Sequence, residues 1–232
     1  MKMIIANWKM NGTLDAVADF CRAINNNLKH TNELVLAFPD TFLQYASKLI
    51  DKSKATLCGQ AISSETEGAY TGQTSAKMLK DIGCTFTLVG HSERRSFETE
   101  IAIKNQISRA LEQNITPILC IGESLIEKKN EKTSESLLKQ IEHCLTHNEK
   151  EKIIVAYEPK WAIGSGLTPS IDEIKIVVNL IRSHIGNKVL YGGSVNLENY
   201  SDILKSGVDG LLIGGLSLSS QKLIQIINGP QL

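Results

Sequence analysis

Ile153-Ile154-Val155-Ala156-Tyr157-Glu158 is a short apolar run that ends in a single carboxylate. Its four leading aliphatic residues leave no polar face, the pattern of a strand covered on both sides, as in a parallel sheet flanked by helices. Beyond a glycine-rich stretch, residues 171–185 carry Ile174, Val177, Val178, Ile181 and Ile185 at helical spacing, so one face of a helix packs inward. Strand followed by helix is the unit from which parallel sheets are built.

The same alternation repeats outward in both directions. Further strand candidates are residues 3–7, 34–39, 55–60, 85–90, 117–122, 188–192 and 209–214, and residues 137–145 repeat the helical spacing. With 153–158 that makes eight strands in a chain of 232 residues, or 29 residues per unit, close to one strand–helix repeat. A closed (β/α)8 barrel fits this arithmetic, and α/β barrels reach this length as one domain, so residues 1–232 are expected to form a single domain. A doubly wound sheet would carry a glycine-rich fingerprint after its first strand, whereas here that strand runs into Asn7-Trp8-Lys9-Met10-Asn11-Gly12. The third unit is irregular: residues 63–74 are polar and contain glycine, leaving room for a short helix at about 75–82.

Composition narrows the function. Lys+Arg and Asp+Glu both number 25, so no net field recruits nucleic acid or an anionic membrane, and a small-molecule partner is expected. The five cysteines are scattered and contain no Cys-x-x-Cys pair; neither a disulfide framework nor a metal site is suggested, and they read as core residues of a reducing compartment. The apolar run at the start is too short for a signal peptide, and no later stretch is long enough to span a bilayer. A soluble cytoplasmic protein is the expectation.

In a parallel barrel the reactive groups stand at the C-terminal ends of the strands. Asn7 and Lys9 end the first strand, His91 follows the fourth, and Glu158 ends the sixth. A carboxylate, an imidazole and an ammonium converging on one mouth can abstract a proton beside a carbonyl and hold the oxyanion that forms, with no metal or cofactor required. Tyr191-Gly192-Gly193-Ser194 after the seventh strand and Gly214-Gly215 after the eighth stand where barrels often bind phosphate.

Asn7-Trp8-Lys9, the run from Gly90 to Arg95, Ala156-Tyr157-Glu158-Pro159 with Trp161-Ala162-Ile163-Gly164-Ser165-Gly166, the run from Tyr191 to Val195, and Gly214-Gly215 together resemble the triosephosphate isomerase family almost end to end. The resemblance implies a TIM barrel that interconverts dihydroxyacetone phosphate and D-glyceraldehyde 3-phosphate through an enediolate, as in glycolysis and gluconeogenesis, without a cofactor. It implies that Glu158 is the base and His91 the proton shuttle. Lys9 and Asn7 would face the enediolate, while Gly164, Ser194, Gly214 and Gly215 hold the phosphate. Ser92 and Glu93 would support the site, with Trp161 and Tyr191 serving a lid from Pro159 to Pro169. The polar third loop would carry Thr71 to the partner's site in a homodimer.

Several positions depart from the family pattern. Lys160 replaces a usual aliphatic residue, Ala61 a usual Asn, and the segments after Arg95 and between Pro169 and Lys188 are short. Pro169 has no N–H to receive the Tyr191 hydroxyl, so Ser194 with the Gly166 N–H is expected to take over the latch. Another phosphate-sugar barrel enzyme, or a barrel that serves only as a binding protein, would share the phosphate turns; the first would not need the Glu158 lid.

Overall fold

The computed structural model describes residues 1–29 and 32–229. Eight parallel strands close into a barrel in sequence order: β1 (Met3–Asn7), β2 (Glu33–Ala37), β3 (Thr56–Gly59), β4 (Cys84–Val89), β5 (Thr116–Ile121), β6 (Ile154–Tyr157), β7 (Val189–Tyr191) and β8 (Gly210–Ile213). The ring is completed by β1 pairing with β8, Ile5 opposite Leu212. Around it run α1 (Leu14–Asn27), α2 (Asp40–Leu49), α3 (Ala76–Asp81), α4 (Glu100–Glu112), α5 (Leu125–Lys129), α6 (Thr133–Cys144), α7 (Ile171–Ile185), α8 (Tyr200–Lys205) and α9 (Ser220–Ile227). Each expected strand is present within two residues of its expected ends, and the irregular third unit carries only the six-residue α3, capped by the Ser75 hydroxyl.

Alternation along the strands separates two apolar layers. Met3, Ile5, Val35, Cys58, Leu88, Ile118, Cys120, Ala156, Leu190 and Leu212 form one buried cluster inside the barrel. Their neighbours Ile4, Ala6, Leu34, Leu36, Leu57, Leu119, Val155 and Leu211 belong to a second cluster shared with the helices. Successive side chains of a strand point to opposite faces, so a strand buried on both must be apolar throughout. Close strand packing also decides a glycine: a Cβ on Gly210 would stand 1.8 Å from the Met3 carbonyl oxygen.

Helix α7 shows how local chemistry sets a boundary. The Ser170 hydroxyl accepts from the Glu173 N–H and the Glu173 carboxylate accepts from the Ser170 N–H, a reciprocal cap; Gly186, at φ 66°, ends the helix. The inward stripe read from the sequence, from Ile174 to Ile185, is buried. Pro169 precedes this cap, so the glycine-rich segment after Glu158 runs straight into a fixed helix start.

The five cysteines are free and buried, and burial pushes the thiols up, Cys21 to about 11 and Cys84 to about 12, which removes thiolate character. No described helix is long and apolar enough to cross a membrane. Among the described residues no group of three or more His, Cys, Asp or Glu is placed to hold a metal ion.

Candidate active site

The ends of β1, β4, β6, β7 and β8 surround a cleft of about 330 Å³ lined by Asn7, Lys9, His91, Glu158, Gly164, Ser194, Gly214 and Gly215. Lys9 enters it from a left-handed backbone, φ 53°, which costs a non-glycine residue energy and persists only where the surroundings impose it. The imposition is visible on both sides of the residue. Asn7 Oδ1 accepts from the Lys9 N–H at 3.0 Å, and Gln60 Nε2 donates to the Lys9 carbonyl at 3.0 Å and to the Ala37 carbonyl at 2.8 Å. Lys9 Nζ then meets Glu93 Oε1 at 2.5 Å.

Glu158 and His91 are in contact. His91 Nε2 stands 3.2 Å from Glu158 Oε1, and both side chains are almost fully buried. The Glu93 N–H donates to His91 Nδ1 at 3.3 Å, so that nitrogen presents its lone pair and the hydrogen-bond pattern assigns the ring proton to Nε2, facing the carboxylate. Burial pulls the imidazole pKa down; the hydrogen bond to Glu158 and the charges of Glu158 and Glu93 outweigh it against Lys9, and the net direction is upward. Glu158 Oε2 accepts from the Ser92 N–H at 3.5 Å. Its methylene lies so close to Gly192 that a Cβ there would come within 2.7 Å, so Gly192 makes the room in which the carboxylate sits.

The segment from Pro159 to Pro169 is tied to neighbouring elements at both ends, while at its tip the Ser165 hydroxyl bonds within the segment, donating to the Trp161 carbonyl at 2.9 Å and accepting from the Leu167 N–H at 3.1 Å. A turn of 3-10 helix, Lys160–Ala162, begins it. The Trp161 indole N–H donates to Glu123 Oε1 at 2.8 Å, and the Lys160 N–H donates to the Glu123 carbonyl at 3.0 Å. The Tyr157 hydroxyl donates to the same Glu123 oxygen at 3.2 Å, while Lys128 Nζ lies 4.1 Å from the centre of the Trp161 ring. Gly164, Ser165, Gly166 and Leu167 are exposed.

Ser194 touches the segment twice, but not where the sequence placed the contact. Its hydroxyl donates to the Ala162 carbonyl at 2.5 Å, and its own carbonyl accepts from Thr168 Oγ1 at 3.4 Å. In this structure the Ser194 bonds go to the two ends of the segment, and Gly166 lines the cleft beside Ser194 without a hydrogen bond to it among the described residues. The Tyr191 hydroxyl is buried with no hydrogen-bond partner among the described residues, and Pro169 has no N–H to offer it.

Thr71 is exposed on the loop before α3 and does not line the cleft. Two residues with evident work escaped the sequence reading. Glu123 stands just past the end of β5, where the rule that found Glu158 would also have found it; Gln60 stands just past β3 and acts through its side-chain amide alone.

Barrel and mouth together define an enzyme of the (β/α)8 class. The triosephosphate isomerase family profile matches residues 2–229. The triosephosphate isomerase of Francisella tularensis subsp. novicida (strain U112) is 38% identical over 245 residues, covering 98% of this chain and 96% of the relative. That of Trichodesmium erythraeum (strain IMS101) is 38% identical over 237 residues, covering 98% of each chain, and that of Alkaliphilus metalliredigens (strain QYMF) is 39% identical over 244 residues, covering 97% and 98%. The chain belongs to the triosephosphate isomerase family.

An unpartnered buried hydroxyl costs about 1–3 kcal/mol, so deleting it removes a penalty and no bond. Tyr191→Phe should melt at or above the parent temperature in a calorimetric scan. A loss of more than about 1 kcal/mol would show that the hydroxyl has a partner in solution.

Proposed function

We propose that this chain interconverts dihydroxyacetone phosphate and D-glyceraldehyde 3-phosphate with Glu158 as the base and His91 as the proton shuttle. The observation that carries the reading is the 3.2 Å contact between His91 Nε2 and Glu158 Oε1, two side chains that are almost fully buried at the edge of the cleft. Glu158 takes the proton from the carbon beside the carbonyl while the Nε2–H of a neutral His91 donates to the carbonyl oxygen, giving an enediol(ate). His91 then recovers a proton from the neighbouring oxygen, and Glu158 returns its proton to the adjacent carbon. A carboxylate base paired with a neutral imidazole is the established chemistry of the family.

Lys9 supplies the positive charge that the enediolate needs. Its ion pair with Glu93 and its fixed backbone mean that little reorganisation is asked of it when charge develops, which is where electrostatic catalysis gains most. Asn7 sets Lys9 and faces the same oxygens. Backbone N–H groups of Gly164, Ser194, Gly214 and Gly215 hold the phosphate, with no Cβ at the three glycines to keep the oxygens away. Closure of Pro159–Pro169 excludes water, since an enediolate phosphate left in water eliminates phosphate. The chain works as one domain in the cytoplasm, as its free buried thiols suit.

The homodimer implied by the family is supported here by apolar side chains at the rim. Met10 is 96% exposed and Phe97 84% exposed, and both line a second cleft of about 510 Å³ that shares Asn7, Lys9 and His91 with the first. Solvent-facing apolar residues beside a reactive cleft mark a docking surface, and the exposed loop bearing Thr71 is the segment offered to it. Sedimentation velocity should show a species of twice the chain mass at micromolar concentration. A monomer that keeps full activity would overturn the dimer.

A coupled assay of dihydroxyacetone phosphate formed from D-glyceraldehyde 3-phosphate tests the activity itself. His91→Ala should lower turnover by roughly 10²–10³, the usual cost of one oxyanion donor, with the circular dichroism spectrum unchanged. Turnover near that of the parent would contradict the proposed roles.

A further inference from the structure

Glu158 is aimed by a part of the structure that never reaches the cleft. Its N–H donates to the Ile121 carbonyl at 2.7 Å, and two residues on, the Lys160 N–H donates to the Glu123 carbonyl at 3.0 Å. The base and the start of the lid therefore rest on residues 121–123, at the C-terminal end of β5. The middle of this rail is Gly122, and it is pressed against the base: a Cβ there would stand 1.8 Å from the Glu158 carbonyl oxygen. A residue with no side chain can be anchored only through its backbone.

Both backbone groups of Gly122 are taken by one side chain. Gln140, in α6 outside the barrel, accepts from the Gly122 N–H through Oε1 at 3.2 Å and donates to the Gly122 carbonyl through Nε2 at 3.1 Å. The Gly122 N–H and the Ile121 carbonyl belong to one peptide plane. Gln140 Oε1 therefore holds one edge of the plane whose opposite edge receives the Glu158 N–H, and hydrogen bonds in such a chain polarise one another. A side-chain amide offers a donor and an acceptor together, whereas an ionised carboxylate offers acceptors alone.

We propose that Gln140 is a positioning residue for the proton transfer, fixing the height of the Glu158 carboxylate through the Gly122 peptides without touching substrate. The proposal rests on the reading of Glu158 as the base. It places the effect chiefly in kcat: the plane that Gln140 steadies carries the Glu158 N–H and, through the Tyr157 carbonyl, the Gly192 N–H at 2.8 Å, both beside the carboxylate. Ser194, Gly214 and Gly215, which hold the phosphate, make no hydrogen bond to residues 121–123 among the described residues. Misplacing a catalytic group by about 1 Å costs up to 10²-fold in rate.

The test compares parent, Gln140→Leu, Gln140→Glu and Glu158→Gln in steady-state kinetics across pH 5.5–8.5. Gln140→Leu, which removes both bonds, should lose roughly ten- to a hundredfold in kcat with KM within about twofold. Gln140→Glu faces the Gly122 carbonyl with a carboxylate at neutral pH and regains a donor when protonated, so its kcat relative to the parent should rise as pH falls. A role confined to stability would not produce that ratio, and the Glu variant decides the matter even if the Leu variant fails to fold. Parent-like kcat in Gln140→Leu, or a pH-independent ratio in Gln140→Glu, would overturn the proposal. Survival of activity in Glu158→Gln would instead overturn the assignment of the base.

Discussion

Two carboxyl groups stand buried at neighbouring strand ends, Glu158 at 3% exposure and Glu123 at 1%, and burying a polar group costs free energy that hydrogen-bond donors around it offset. The requirement organises the mouth of the barrel. Glu158 draws on the Ser92 N–H and the His91 imidazole, which fixes the loop after β4 against the end of β6. Glu123 draws on the Tyr157 hydroxyl and the Trp161 indole, which fixes β6 and the start of the glycine-rich segment against the end of β5. One carboxylate is thereby presented to the cleft, and the other holds the start of the glycine-rich segment beside it.

The cationic side of the mouth is built by a different economy. Lys9 adopts a backbone conformation that its own sterics disfavour, and the Asn7 and Gln60 amides on either side of it supply the compensation. Strain of this kind is kept where a side chain must point in one direction. The direction here brings the ammonium to Glu93, whose N–H also orients His91, so that the ammonium and the imidazole are tied through a single residue.

Much of the barrel was legible in the sequence because strands buried on both faces must be apolar throughout, and runs such as 153–158 admit no other reading in a chain of this length. Helix α7 was legible for a related reason: its inward stripe from Ile174 to Ile185 placed it over residues 171–185. Asn7, Lys9, His91 and Glu158 were legible as polar residues punctuating strand ends. What escaped were bonds between side chains and backbones of distant elements. Gln60 and Gln140 look like ordinary polar residues in a linear reading, since an amide's partners are set by the closed fold and not by its neighbours in sequence. The Ser194 contacts escaped likewise, because the path of a glycine-rich segment depends on where its two ends are tied.

The account stands on Glu158 acting as the single base, on one face of a substrate held by its phosphate. The direct measurement is hydrogen exchange into dihydroxyacetone phosphate in deuterium oxide, followed by proton NMR. One base on one face predicts that a single hydrogen of the hydroxymethyl carbon is replaced, with the other retained, and that Glu158→Gln abolishes the replacement. Exchange of both hydrogens, or single-site exchange that persists in Glu158→Gln, would contradict it.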